Sequence, residues 1–312
     1  MKKFFKVHGF AAVFSLALVL FTLYALLDTF VISRGFAKVK DNDSIVKINE
    51  KQEISPVFDR GVPDEPEITE STYYDGNIAL EITEYDVNDT AVYVADVAVR
   101  EPKYLRSAFA DNEYGKNISE KTSMISVVHR SVIAVNGDFY GARNSGYVIR
   151  NGTLYRDASS GTDDLVIWND GSLEIVNERD VTAEELVERG AWQVLSFGPA
   201  LVIDDEVVVG ENEEVRESLA KNPRTAIAQI GYCHYLFVVS DGRTRESPGL
   251  SLYELATFIK SLGADVAYNL DGGGSSSMVF RGRVINKPTS NGREIEEREV
   301  SDIVYAGPPP KG

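Results

Sequence analysis

The chain has 312 residues, 43% hydrophobic and 26% charged, a balance expected to fold rather than stay disordered. Lysine and arginine number 32 against 48 aspartates and glutamates; this formal charge of −16 argues against a nucleic-acid partner, since no surplus of cations exists to displace phosphate counterions. A single cysteine, Cys233, excludes an internal disulfide framework and a thiolate cluster. With only three histidines, any catalysis is expected to rest on carboxylates, amides and arginines.

Lys2, Lys3 and Lys6 precede an apolar run from Phe10 to Leu27 that is broken only by Ser15 and Thr22 and resumes at Phe30, Val31 and Ile32. About 20 apolar residues cross a bilayer as a helix. The rival, a cleaved signal peptide, lacks a small-residue cleavage pattern after Leu27, and the run is long for its apolar region. Residues 1–34 are therefore expected to be a cytoplasmic tail and transmembrane signal anchor. The lysines stay inside, which predicts a single-pass protein of the cell membrane with its folded part extracytoplasmic. Beyond this segment, 28 cations face 47 anions, so bulk charge will not draw the body to an anionic polymer.

Residues 35–75 are expected to be a polar stalk with Pro56, Pro63 and Pro66 and at most one short strand. From Asn77 the texture turns to β: Ile78, Leu80 and Ile82 alternate with polar residues, and Val92, Val94, Val97 and Val99 mark a second strand. Asn117 to Arg130 predicts a helix capped by Asn117 or Ser119. Ser131 to Asn136 predicts a buried strand. Asn151-Gly152 and Asp170-Gly171 predict hairpin turns, and Thr182 with Glu185 a capping box. Arg224 to Ile230 and Tyr235 to Ser240 predict paired strands. Ser251 and Glu254 open a helix with apolar residues at Leu252, Leu255, Ala256, Ile259 and Leu262, stopped by Gly263. Asp265 to Leu270 predicts a strand running into Asp271-Gly-Gly-Gly-Ser-Ser-Ser277, followed by a hairpin around Gly282. Residues 76–312 are thus expected to form one α+β domain, with many short strands in mixed sheets and three or four helices, preceded by the transmembrane helix.

Chemistry-bearing residues gather at the expected strand ends. Asn269-Leu-Asp-Gly-Gly-Gly-Ser275 offers backbone N–H groups that can nest an anion, yet it fits neither a Walker loop nor G-x-G-x-x-G, and alone it reads first as a tight turn. Asn136-Gly-Asp-Phe-Tyr140 brings an amide and a carboxylate, or merely an Asx turn. In Asn222-Pro-Arg-Thr225, Arg224 can clamp a phosphate or pair on the surface. Asp241-Gly-Arg243 adds an acid and a base in what is otherwise an ordinary turn. Their joint occurrence at strand ends raises all four.

In this order, and with Gly198-Pro-Ala-Leu, Leu250-Ser-Leu-Tyr-Glu-Leu255 and Arg298-Glu-Val-Ser-Asp302, these segments resemble the phosphodiester glycosidase family from about Asn77 to Gly307. One departure is Asp138, where members often carry glycine. The resemblance implies hydrolysis of a sugar joined through its anomeric oxygen to a phosphodiester. Asp271 is then the first candidate for the catalytic carboxylate, with Asp241 and Asp138 next, and Arg224 for the departing phosphate. Asn136, Gly137, Thr225, Arg243, Asn269, Gly272, Gly273, Gly274 and Ser275 are candidates for binding substrate. The expected substrate is a glycosyl phosphate, small or part of an envelope polymer or exopolysaccharide. No cofactor is required, although Asp138, Asp241 and Asp271 could instead ligate Ca²⁺ or Mg²⁺ in a metal-dependent phosphodiesterase. The third alternative is a non-catalytic surface module that binds polysaccharide.

Overall fold

A computed structural model describes residues 2–39, 54–211 and 221–309, and its class is α+β as expected. Helix α1, Lys2–Phe30, contains the apolar stretch Gly9–Phe30; at 1.5 Å per residue its 22 residues span about 33 Å, enough to cross a membrane, and none of it is buried.

The centre of the domain is a nine-stranded sheet in the order Glu206–Val207, Ala200–Ile203, Val266–Asn269, Arg224–Gly231, His234–Ser240, Thr90–Val99, Ile78–Val87, Thr72–Tyr74 and Glu67–Ile68. Alternation along each strand separates two cores. Tyr93, Ala95, Val97, Ile227, Phe237 and Tyr268 face one side, whereas Val92, Val94, Ala226, Ala228, Leu236 and Val238 face the other. The second side is covered by helix α4, Leu252–Ser261, whose Ser251 and Glu254 form the expected capping box. Its Leu252, Leu255 and Ile259 are fully buried, each contributing roughly 1.5–3 kcal/mol of hydrophobic burial.

Two five-stranded sheets pack on the first side. One runs Thr153–Arg156, Val148–Arg150, Ala191–Leu195, Asp163–Trp168, Leu173–Asn177, with helix α3, Ala183–Arg189, on its outer face. The other runs Arg283–Val284, Met278–Phe280, Ile133–Asn136, Asp302–Ala306, Leu105–Phe109, with helix α2, Thr122–Val128, outside it. Leu165, Ile167 and Leu195 from the first meet Ile133, Val135 and Val304 from the second in the central core.

Three expectations are corrected. Among the described residues every strand pairing is antiparallel, not mixed. Hairpins make the sequence-adjacent pairs antiparallel, and the helical crossover through α4 joins His234–Ser240 to Val266–Asn269, which flank Arg224–Gly231 and so run parallel without pairing. Helix α2 begins at Thr122 rather than near Asn117, because Glu120 is drawn into a bridge with Val300 and Asn117 stands in the left-handed region at φ 56°. The segment read as a stalk carries more than one strand: Arg34–Lys38 pairs with Glu113–Lys116, and Glu67–Ile68 and Thr72–Tyr74 extend the large sheet; its middle, 40–53, lies outside the described residues.

Candidate active site

The ends of Ile133–Asn136, His234–Ser240 and Val266–Asn269 converge with the starts of Arg224–Gly231 and Asp302–Ala306, as the registers Arg224↔Ser240, Ala226↔Asn269 and Ile303↔Asn136 require. Asn136, fully buried, ties this junction together. Its Oδ1 accepts from Thr225 Oγ1 at 2.8 Å and from the Ser277 amide at 3.3 Å, and its Nδ2 donates to the Asp271 carbonyl at 2.7 Å. Asn136 and Thr225 therefore join three chain segments within the protein. Gly137 is packed so closely that a Cβ there would overlap the Asp302 carboxylate.

Asp271 stands at the solvent edge of this junction, 8% exposed. Its Oδ2 accepts from Arg298 Nη2 at 3.0 Å, and the same guanidinium donates through Nε and Nη2 to Ser275 Oγ at 2.9 and 2.6 Å. Burial pushes the Asp271 carboxyl above its ordinary value, against the pull of Arg298 and Ser275. Arg243 packs against the same glycine turn. Its Nε donates to Asn222 Oδ1 at 3.1 Å and its Nη1 to the Ser290 carbonyl at 2.7 Å. Gly273 has φ +63°, and a Cβ on it would lie 2.7 Å from Arg243 Nη2, so glycine here serves both the turn and the close approach of the guanidinium. Burial and the neighbouring charge of Arg298 lower the Arg243 pKa, while Asp271 pulls it the other way. One guanidinium thus contacts the Asp271 carboxylate, and a second packs against the glycine turn beside it.

The other expected residues are placed differently. Arg224 is buried on the α4 side of the sheet, its Nε donating to the Leu250 carbonyl at 2.9 Å, so the guanidinium that meets Asp271 is that of Arg298. Asp241 is buried and accepts from the Lys287 amide at 2.8 Å and Asn286 Nδ2 at 3.2 Å; burial raises its pKa against these donors. Asn269 donates Nδ2 to the Gly198 carbonyl at 2.8 Å. The Gly273 amide donates to the Pro223 carbonyl at 2.8 Å, the Gly272 amide is directed at the Asp271 carboxylate, and Gly274 is buried against Ser290.

Asp138 turns inward. It accepts from the amides of Tyr140 and Ser196 at 3.2 and 2.8 Å and pairs with Arg150 Nη2 at 2.9 Å; Arg150 also meets Asp302 at 2.8 Å. Burial would lower the Arg150 pKa, but Asp138 and Asp302 outweigh it and hold it above its ordinary value. Burial, only partly offset by Arg150, pushes the Asp302 carboxyl well above its ordinary value. Behind them lies Asp164, fully buried beside Glu178; burial and then the Glu178 charge push its carboxyl up to about 10. Asp138, Asp241 and Asp271 are held by separate partners, and among the described residues no group of three or more histidine, cysteine, aspartate or glutamate side chains stands in position to hold a metal ion.

The order of these segments is matched by the phosphodiester glycosidase (NAGPA) family over residues 129–306, more than half of the chain. The chain belongs to the phosphodiester glycosidase family. It is 31% identical over 200 residues to the SPbeta prophage-derived uncharacterized protein YomE of Bacillus subtilis, covering 62% of this chain and 31% of that one. It is 33% identical over 89 residues to the N-acetylglucosamine-1-phosphodiester alpha-N-acetylglucosaminidase of Mus musculus, covering 28% of this chain and 17% of that one. The chain thus spans less than a third of the length of these curated relatives. In fold it is similar to the zebrafish N-acetylglucosamine-1-phosphodiester alpha-N-acetylglucosaminidase catalytic domain auto-inhibited by pro-peptide, with TM-score 0.60 and 16% identity over 86% of this chain and 99% of that one. A hypothetical protein from Synechocystis aligns with TM-score 0.57 and 14% identity over 78% and 64%.

Within this phosphodiester glycosidase domain, sequence reasoning missed Arg298 as a site residue, although it lies in the quoted Arg298-Glu-Val-Ser-Asp302 segment, and missed Arg150 altogether. Arg298 follows an exposed acidic stretch and shows no strand-end signature. The available signal was its place just before a strand that opens on a buried aspartate, Asp302.

Proposed function

We propose that the chain hydrolyses a glycosyl-1-phosphodiester, breaking the bond between the anomeric carbon and the phosphate oxygen. The observation that carries this reading is the Asp271 carboxylate held 3.0 Å from the Arg298 guanidinium, with a second guanidinium, Arg243, packed against the neighbouring Gly273. A diester phosphate is a planar-donor target for arginine, and a second positive charge stabilises the dianion that forms as the monoester departs. A phosphate with its oxygens on Arg298 competes with Asp271 for that guanidinium and releases the carboxylate. Asp271 then takes the proton of a water as its oxygen bonds to C1, while the C1–O electron pair passes to phosphate. So good a leaving group asks little of a general acid.

Helix α1 is read as a single-pass anchor, with Lys2, Lys3 and Lys6 cytoplasmic and the domain, including the strands that 35–75 lends to its sheets, extracytoplasmic. That position points to glycosyl phosphates of the envelope or of exopolysaccharide as substrate. The test is incubation of the full chain, in detergent or vesicles, with a panel of sugar-1-phosphodiesters, reading free sugar and phosphomonoester. Both should appear with the native chain and neither with Asp271→Asn; a folded protein that releases no sugar from any of them overturns the reading.

A further inference from the structure

Helix α2 buries Thr122, Ile125 and Ser126 against its sheet and leaves Met124, Val127 and Val128 exposed, an apolar stripe at i, i+3 and i+4 on the outside of the domain. Its surroundings say what covers it. Three residues separate the end of α1 at Phe30 from the strand Arg34–Lys38, which pairs with Glu113–Lys116, so the domain is clamped to the end of α1 with about 14 Å of reach at most. Asn117 reinforces the clamp: its Nδ2 donates to the carbonyls of Thr29 and Ile32 at 3.3 and 3.0 Å. Only four residues lie between Asn117 and α2, five steps and at most about 18 Å of chain.

The charges fit as well. The Arg281–Arg283 turn abuts the stripe, a Cβ on Gly282 lying 2.9 Å from Val127 Cγ2, and Arg130, Arg281 and Arg283 are exposed there beside His129. At the other end of α2 the acids are engaged, Glu296 with Lys121 at 3.1 Å and Glu297 with the Ser123 amide at 3.0 Å and the Ser123 hydroxyl at 2.5 Å. In a chain of net charge −16, an apolar stripe edged by arginines next to a membrane-length helix is a distinct feature.

We infer that the Met124–Val127–Val128 face of α2 rests in the interface of the bilayer that holds α1, with Arg130, Arg281 and Arg283 among the lipid headgroups. This rests on the anchor reading given above. The orientation of the domain is then fixed at two points, the clamp and α2, instead of swinging on one helix.

The experiment places a single environment-sensitive fluorophore on the full chain reconstituted in vesicles of neutral and anionic phospholipid, at Met124→Cys, Val128→Cys, Leu20→Cys or Val208→Cys; native Cys233 is buried and does not compete for label. The inference predicts blue-shifted emission at 124 and 128, quenched by lipids carrying a spin label near the headgroup, with Leu20 also in lipid and Val208 in water. Lipid contact at Leu20 with water-like, unquenched emission at 124 and 128 overturns the inference while leaving the anchor. Water-like emission at Leu20 overturns the anchor reading and the inference with it.

Discussion

Asp271 Oδ2 and Arg298 Nη2, from residues 27 apart in sequence, lie 3.0 Å apart at the solvent edge of the strand-end junction. The carboxylate read as catalytic and the guanidinium read as its phosphate clamp are therefore each other's partner. Burial raises the Asp271 pKa and Arg298 lowers it. Removing the guanidinium in Arg298→Gln should raise it further, so the acidic limb of a kcat/KM–pH profile should move to higher pH, with KM up about 10–100-fold. Arg298→Lys should keep the limb near its native place and raise KM alone. An unshifted limb in Arg298→Gln would separate the two residues functionally.

Replacing Asp271 by asparagine preserves shape and removes the base. Turnover is expected to fall by about 10²–10⁴-fold while the protein still binds an unreactive sugar-phosphate diester, measured by calorimetry. Equal loss of binding would make Asp271 a binding residue only.

Asn136→Ala leaves the Thr225 hydroxyl, the Ser277 amide and the Asp271 carbonyl short of a partner inside the protein. Urea unfolding should show a loss of about 3 kcal/mol. A loss below about 1 kcal/mol would show that the junction does not depend on this amide.

The legibility of these features divides along physical lines. The hairpin at Asn151-Gly152 and the capping boxes of α3 and α4 are set by residues a few positions apart, and the structure shows them where local chemistry puts them. Helix α2 starts later than its local sequence suggests because Asn117, a good cap by type, is engaged instead with the end of α1, 85 and 88 residues away in its two bonds. The same holds at the site. The glycines and Asp271 announce themselves in one run of sequence, whereas Arg298 and Arg150 acquire their roles from contacts up to 152 residues distant, which no local pattern encodes.

Arg150 lies between Asp138 and Asp302, all three buried. Arg150→Met leaves two buried carboxylates without their cation and should cost about 3–5 kcal/mol or prevent folding. Adding Asp138→Asn and Asp302→Asn to that variant should recover much of the loss in thermal melting. No recovery would mean that Arg150 acts through its packing alone.

Burial and the neighbouring Glu178 charge favour the protonated form of Asp164. Its folded pKa of about 10 stands above the unfolded 3.8, so stability falls as pH rises between these values, by up to about 1.4 kcal/mol per pH unit. Asp164→Asn has no proton to lose. The difference in unfolding free energy between native and variant chains should therefore shift toward the variant from pH 5 to pH 9. A difference that stays flat would show that Asp164 is ionised in the folded chain.

The central claim concerns which bond breaks, and hydrolysis of a sugar-1-phosphodiester in ¹⁸O-labelled water by the full chain tests it most directly. Attack at the anomeric carbon places the label in the released sugar and leaves the phosphomonoester unlabelled. Label in the phosphate, with sugar-1-phosphate among the products, would mean attack at phosphorus and would contradict the account.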